Sequence, residues 1–322
     1  MGDSRKAIKI ALESGATYCD IRTEWSQKRG ILVENGLIEQ SNSRFISGIG
    51  IRVLYDGAWG FFSTSENDKI SDGVLAAIKA AKNSFKKNKV KLAESPANIK
   101  TIDHTNSEKP DIEELSKIAL ECDSIMKENR NITRRHIFAQ TNQSEKKFEN
   151  SEGAEIIQSF IDCTMDLTAT ARYGITQSVN MTEGGRGGIH SLDAAPKSAK
   201  EISEKACELL NAKPPKEEIA TLVMNPDFVS LLTHEILGHP SEADRVLGKE
   251  MAWAGGAWWA GKLGQKIASE SLNVIDDPTI PGSLGEFEFD DEGVKTKNVK
   301  LVQDGVLINH MHSRETAKIF DV

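Results

Sequence analysis

Apolar positions along the chain alternate in some stretches and recur at helical spacing in others, and the two periods divide it into three segments. Over residues 4–14, Ala7, Ile8, Ala11 and Leu12 share one helical face, with Gly15 just past the end. Residues 18–25 alternate as a strand. Residues 30–34 and 37–41 flank Asn35-Gly36, a strong hairpin signal, and a second strand pair over residues 48–62 turns at Asp56-Gly57. An alanine-rich helix over 67–85 closes this segment, and the polar stretch up to Lys109 reads as a linker.

The second segment opens with a helix over 111–129, carrying Ile112, Leu115, Ile118, Ala119, Cys122 and Ile125 at helical intervals. Strands are expected over 132–141, 146–150, 155–173 and 176–183, then a flexible glycine turn over 184–188 and a helix over 198–211. Pro214-Pro215 marks the next boundary. In the third segment a strand over 220–224 delivers the chain to a helix capped by Asn225, with Pro226 at its first position and Asp227 at the positive end of its dipole. Phe228, Leu231, Leu232 and Ile236 form the apolar face expected to anchor that helix in a core. Further strands are expected over 272–275 and 282–293, the latter ending in an acidic turn, and a hairpin over 299–309. The fold class is therefore α+β and multi-domain, with antiparallel or mixed sheets flanked by helices. The expected divisions are an N-terminal α+β domain over 1–88, a linker over 89–109, a central α+β domain over 110–214, and a β-rich C-terminal domain over 215–322.

The chemistry concentrates behind Asn225. His234, Glu235, His239, Glu242 and Asp244 fall within eleven residues. Zinc peptidases commonly place two histidines four apart, stacked on one helix face. Here they are five apart, and a straight helix would turn the second ring about 140° from the first. Gly238 and Pro240 loosen the helix at that point, and a π-bulge would return both rings to one side. Downstream, residues 251–261 hold three of the five tryptophans, either clamping a loop to the core or walling a substrate channel. His310 and His312 share a face if the last strand continues. Gly48-X-Gly50 lacks the context of a phosphate loop, and the acidic turn lacks calcium-loop spacing.

At 322 residues with 39 % hydrophobic and 27 % charged content, the chain can bury substantial cores. Its net charge of −8 disfavours nucleic acid and anionic membranes as partners. The Lys-rich run over 86–91 reads as a solvated linker. Four scattered cysteines and the lack of any signal or membrane-spanning segment point to the cytoplasm.

These motifs together resemble the TldD/PmbA family, and its metal-binding TldD branch in particular. The resemblance rests on His234-Glu235-Ile-Leu-Gly238-His239 with the following acidic pair, and on Gly48-Ile-Gly50-Ile-Arg52-Val, Gly60-Phe61 and Thr64. It extends to Gly282-Ser283, Asp290-Asp291-Glu292-Gly293 and Ser313-Arg314-Glu315-Thr316-Ala317. It implies a zinc (Zn2+) peptidase acting on peptides or unfolded polypeptides, with His234 and His239 as metal ligands and Glu235 as the general base for a metal-activated water. It also implies a homodimer, or a heterodimer with a TldE-like chain. In the family a cysteine near the C-terminus completes the metal site, whereas the last cysteine here is Cys207. A chain truncated at Val322, with an incomplete catalytic domain, accounts for this. Otherwise Glu242, Asp244, His310 or His312 would supply the third ligand. The alternative function is a non-catalytic partner or scaffold subunit of such an assembly.

Overall fold

The computed structural model describes residues 3–84, 89–105, 111–249 and 256–322. Part of the Lys-rich run, part of the expected linker and Trp253 lie outside these residues. Helix α1 (Asp3–Glu13) leads into strand β1 (Tyr18–Glu34), and β2 (Leu37–Tyr55) and β3 (Ala58–Thr64) follow. Asn35, Gly36, Asp56 and Gly57 all have positive φ, as tight hairpin turns of this kind require. Then come α2 (Ile70–Asn83), β4 (Ile99–His104), α3 (Ile112–Lys127), β5 (Ile132–Asn150), β6 (Glu155–Tyr173), β7 (Ile175–Arg186) and α4 (Ala195–Leu209).

Several strands expected as separate pieces are continuous. The polar centre of β1, Ser26 to Arg29, hides the strand from an alternation test. It stays extended because β2 and β5 hydrogen-bond it from both sides. Likewise, the expected linker contains β4, which pairs parallel with the first third of β6, from Ile99↔Glu155 to His104↔Phe160. β4 is mostly exposed, so it lacks an apolar signature. Gly184 and Gly185, expected in a turn, continue β7 against β6, and only Gly187 and Gly188 take positive φ.

The result is a seven-stranded sheet ordered β3-β2-β1-β5-β6-β4, with β7 also on β6. It runs through both α+β segments, joined by the antiparallel ladder from Asp20↔Asn150 to Glu34↔His136. Successive residues of a strand face opposite sides of a sheet. Ile21 and Ile31 of β1 therefore share one face. At one end of it α1 and α2 pack over Ile21, Ile51 and Val53, and at the other α3 and α4 pack over Ile31, Ala139 and Met165.

The opposite face carries Asp20, Arg52, Phe148, Ile156 and Gln158, and the C-terminal segment docks there. Phe289 packs on Phe148 and Ile156. Gln158 donates to the Phe289 carbonyl at 2.8 Å and accepts from the amides of Glu288 and Phe289 at 3.1 and 3.0 Å. The buried Asp20 takes three bonds from Arg52 (3.3, 2.9 and 2.7 Å), whose Nη2 also reaches Glu292 at 3.2 Å. Glu292 in turn accepts from the Arg314 amide at 2.7 Å. The acidic turn is thus an anchor. Asp290 caps it by accepting from the Glu292 and Val294 amides, and burial pushes the Asp290 carboxyl above the usual range.

The C-terminal segment holds α5 (Pro226–Thr233), α6 (Ala243–Val246), β8 (Val274–Asp276), β9 (Val299–Gln303), β10 (Val306–Leu307) and α7 (Arg314–Phe320). β8, β9 and β10 form a small antiparallel sheet around Trp259, Leu301, Val302 and Leu307. Three expectations fail here. Residues 282–293 form no strand, only turns and the isolated bridge Phe289↔Lys295. Residues 220–224 form no strand, and Val223 is 96 % exposed. The apolar face of α5 is also uncovered among the described residues, with Phe228 53 % and Leu231 58 % exposed. An apolar alternation or stripe shows what a segment could bury, and neither of these finds a surface to bury it against. The fold is α+β, and no helix among the described residues is long and apolar enough to cross a membrane.

Candidate metal centre

Helix α5 begins as the sequence predicts. The Asn225 side chain accepts from the Phe228 amide at 3.0 Å, with Pro226 and Asp227 in the first turn. The helix then widens. Residues His234–Gly238 form a π-turn, closed by the His239 amide donating to the His234 carbonyl. One extra residue per turn cancels most of the rotation that separates the two rings in a regular helix. Their centroids lie 4.5 Å apart at an interplanar angle of 80°.

Pro240 makes the irregularity durable. A regular helix would have the Ile236 carbonyl accept from residue 240, which has no N–H and whose ring crowds that carbonyl. The indole of Trp258 donates to the Ile236 carbonyl instead, at 3.0 Å, and the indole of Trp259 donates to the Pro240 carbonyl at 2.5 Å. Trp259 is fully buried, so it is the clamp, while Trp258 stays 47 % exposed beside the motif. Gly238 keeps right-handed helical angles with room for a Cβ, so its contribution is weak helix preference. Leu237, not Ile236, faces the Trp259 cluster, because the widened turn shifts the inward position by one residue.

His234, Glu235 and His239 each offer a ligand atom within 4.8 Å of the others. His234 and Glu235 are exposed and His239 is half-buried, so an ion or substrate can reach them. Two imidazoles and a carboxylate suit a borderline-soft divalent ion such as zinc. Of the other candidate ligands, none joins this group. Glu242 is engaged by His239, its Oε1 2.8 Å from Nδ1. Asp244 accepts from the Arg245 amide at 2.9 Å. His312 contacts the Thr316 hydroxyl at 3.3 Å through Nδ1, and His310 is buried against Phe320. Sequence reasoning missed the Glu242 pairing and the Trp258 bond. The three-residue spacing to His239 hints at the first, whereas nothing local signals the second.

The architecture agrees with what the chain is similar to. Residues 19–84 match the PmbA/TldA metallopeptidase domain 1, residues 105–213 the central domain, and residues 217–322 the C-terminal domain of the same family. The chain belongs to the PmbA/TldD metallopeptidase family. Among relatives of this family, a metalloprotease of Methanothermobacter thermautotrophicus is 33 % identical over 97 % of this chain and 68 % of its own length. One of Methanocaldococcus jannaschii is 31 % identical over 98 % and 70 %. The zinc metalloprotease TldD homolog of Saccharolobus solfataricus is 26 % identical over 96 % and 68 %. The PmbA/TldD fold is shared with the solved structure of TldE from Thermococcus kodakarensis, at a TM-score of 0.79 and 21 % identity over 100 % of this chain and 72 % of that one.

Proposed function

We propose that this protein is a zinc-dependent peptidase of unfolded polypeptides or peptides. The observation that carries the proposal is the π-turn, which gathers two imidazoles around one point with Glu235 beside them. His234 and His239 would hold zinc, His239 through Nε2 because its Nδ1 faces Glu242. When bound, zinc supplies Lewis acidity for a scissile carbonyl and lowers the pKa of water toward neutrality. Glu235 accepts the proton of the attacking water as its oxygen bonds to the carbonyl carbon. It then delivers a proton to the amine nitrogen as the C–N bond breaks.

Zinc content and cleavage of an unfolded polypeptide, compared between wild type and Glu235→Gln, test this reading. The expected outcome is chelator-sensitive cleavage in the wild type and a fall of at least about 100-fold in the variant, with zinc retained. Equal cleavage by both proteins removes Glu235 as the base.

A second reading is a non-catalytic partner of a TldD/TldE-type assembly. It draws support from the likeness to TldE and from the group of donors among the described residues, where Glu235 takes the role of base and no third ligand joins His234 and His239. Zinc binding without cleavage, or no zinc binding at all, would favour it. Cytoplasmic residence and dimer formation belong to the same proposal.

A further inference from the structure

Past the π-turn the chain holds Glu242 more firmly than a passing surface carboxylate. The Glu242 amide donates to the His239 carbonyl at 3.1 Å. On either side, the Ser241 carbonyl accepts from the Met311 amide at 2.8 Å and the Ala243 amide donates to the Met311 carbonyl at 2.9 Å. Ser241 and Ala243 are both buried, and the Ser241 hydroxyl donates to the Leu237 carbonyl at 2.7 Å. Residue 242 is therefore fixed from two elements, with its Oε1 2.8 Å from His239 Nδ1 and its Oε2 3.5 Å from Arg245 Nε.

We propose that Glu242 is a positioning residue that holds His239 as its Nδ1–H tautomer, with Nε2 presented for the metal. The inference rests on the zinc reading above for its purpose, and on the geometry alone for the tautomer. An ionised carboxylate can only accept from Nδ1, so in the neutral imidazole the other ring nitrogen keeps the lone pair that a metal needs. A carboxylate engaged in this way aims the ring rather than binding the ion itself.

Two measurements on the full chain test the proposal. In metal-free protein carrying 15N-labelled histidine, long-range 1H–15N spectra are expected to show His239 protonated at Nδ1. Glu242→Ala should lose that preference, and Glu242→Gln, whose amide oxygen still accepts, should keep it. Titration with Zn2+ against a competing chelator should show affinity about 10–100-fold weaker in Glu242→Ala, with most of the loss recovered in Glu242→Gln. An unchanged tautomer in Glu242→Ala overturns the proposal. So does loss of zinc in both Glu242 variants as complete as in His239→Ala, which would make Glu242 a ligand. The tautomer is read without metal or substrate. It therefore stands if the peptidase reading fails, and falls independently of it.

Discussion

At the scale of single residues, the polar groups that matter most are those with no escape to water. Asp20 is fully buried and hydrogen-bonded by Arg52, whose side chain keeps 24 % exposure, with Arg22 Nε a weaker second partner at 3.6 Å. Removing one partner from a buried pair strands the other charge and typically costs about 3–5 kcal/mol. Partial exposure of Arg52 lowers the expectation for Arg52→Met to about 2–3 kcal/mol, read as a shift in the urea midpoint. His310 gives a pH signature. Burial lowers its pKa, and that of His312 falls through burial and the neighbouring His310 charge. As pH drops below the ordinary histidine value near 6.5, the unfolded chain takes up protons first, so acid favours unfolding. Stability should fall between pH 7 and 5, and less steeply in His310→Gln. A slope unchanged by that substitution would show that other groups govern the loss. The approach of His234 to His239 was legible from spacing and residue type. The partner of His239 was only hinted at by its three-residue spacing, because the backbone beside Glu242 is fixed by Met311, some seventy residues away.

At the scale of elements, the motif is defined by an irregularity that the sequence announces. Five-residue spacing, Gly238 and Pro240 together favour a widened turn, and the turn is there. What the sequence conceals is the compensation, since Trp258 reaches the Ile236 carbonyl from 22 residues further along the chain. Strand lengths were concealed for a related reason, because pairing on both edges keeps polar stretches such as Ser26 to Arg29 extended. Contact between α2 and β3 is equally demanding. A Cβ at Gly60 would overlap the Ala77 carbonyl of α2, and the backbone there has no flexible side-chain end to give way. Gly60→Ala should therefore push the helix off the strand and cost about 1–3 kcal/mol. A thermal melt checks this, and an unchanged midpoint would mean that helix and strand can separate at little cost.

At the scale of the whole molecule, one sheet serves two masters. Helices α1 to α4 cover its apolar face, while the other face receives the segment bearing the candidate metal centre through Arg52, Glu292, Gln158 and Phe289. Alternation made the apolar face readable. The docking face was not, because Asp20, Arg52 and Gln158 sit beside Phe148 and Ile156 on it and look solvent-facing until their partners arrive from far along the chain. The ladder between β1 and β5 carries a practical consequence. A gene cut after residue 88 would yield a polypeptide whose first strand keeps one unmated flank along most of its length, a template for self-association. Such a fragment should elute as large aggregates on gel filtration where the 322-residue chain does not, and a soluble, cooperatively melting fragment would refute this. What looks like a join between two independent building blocks is a seam that neither side can close alone.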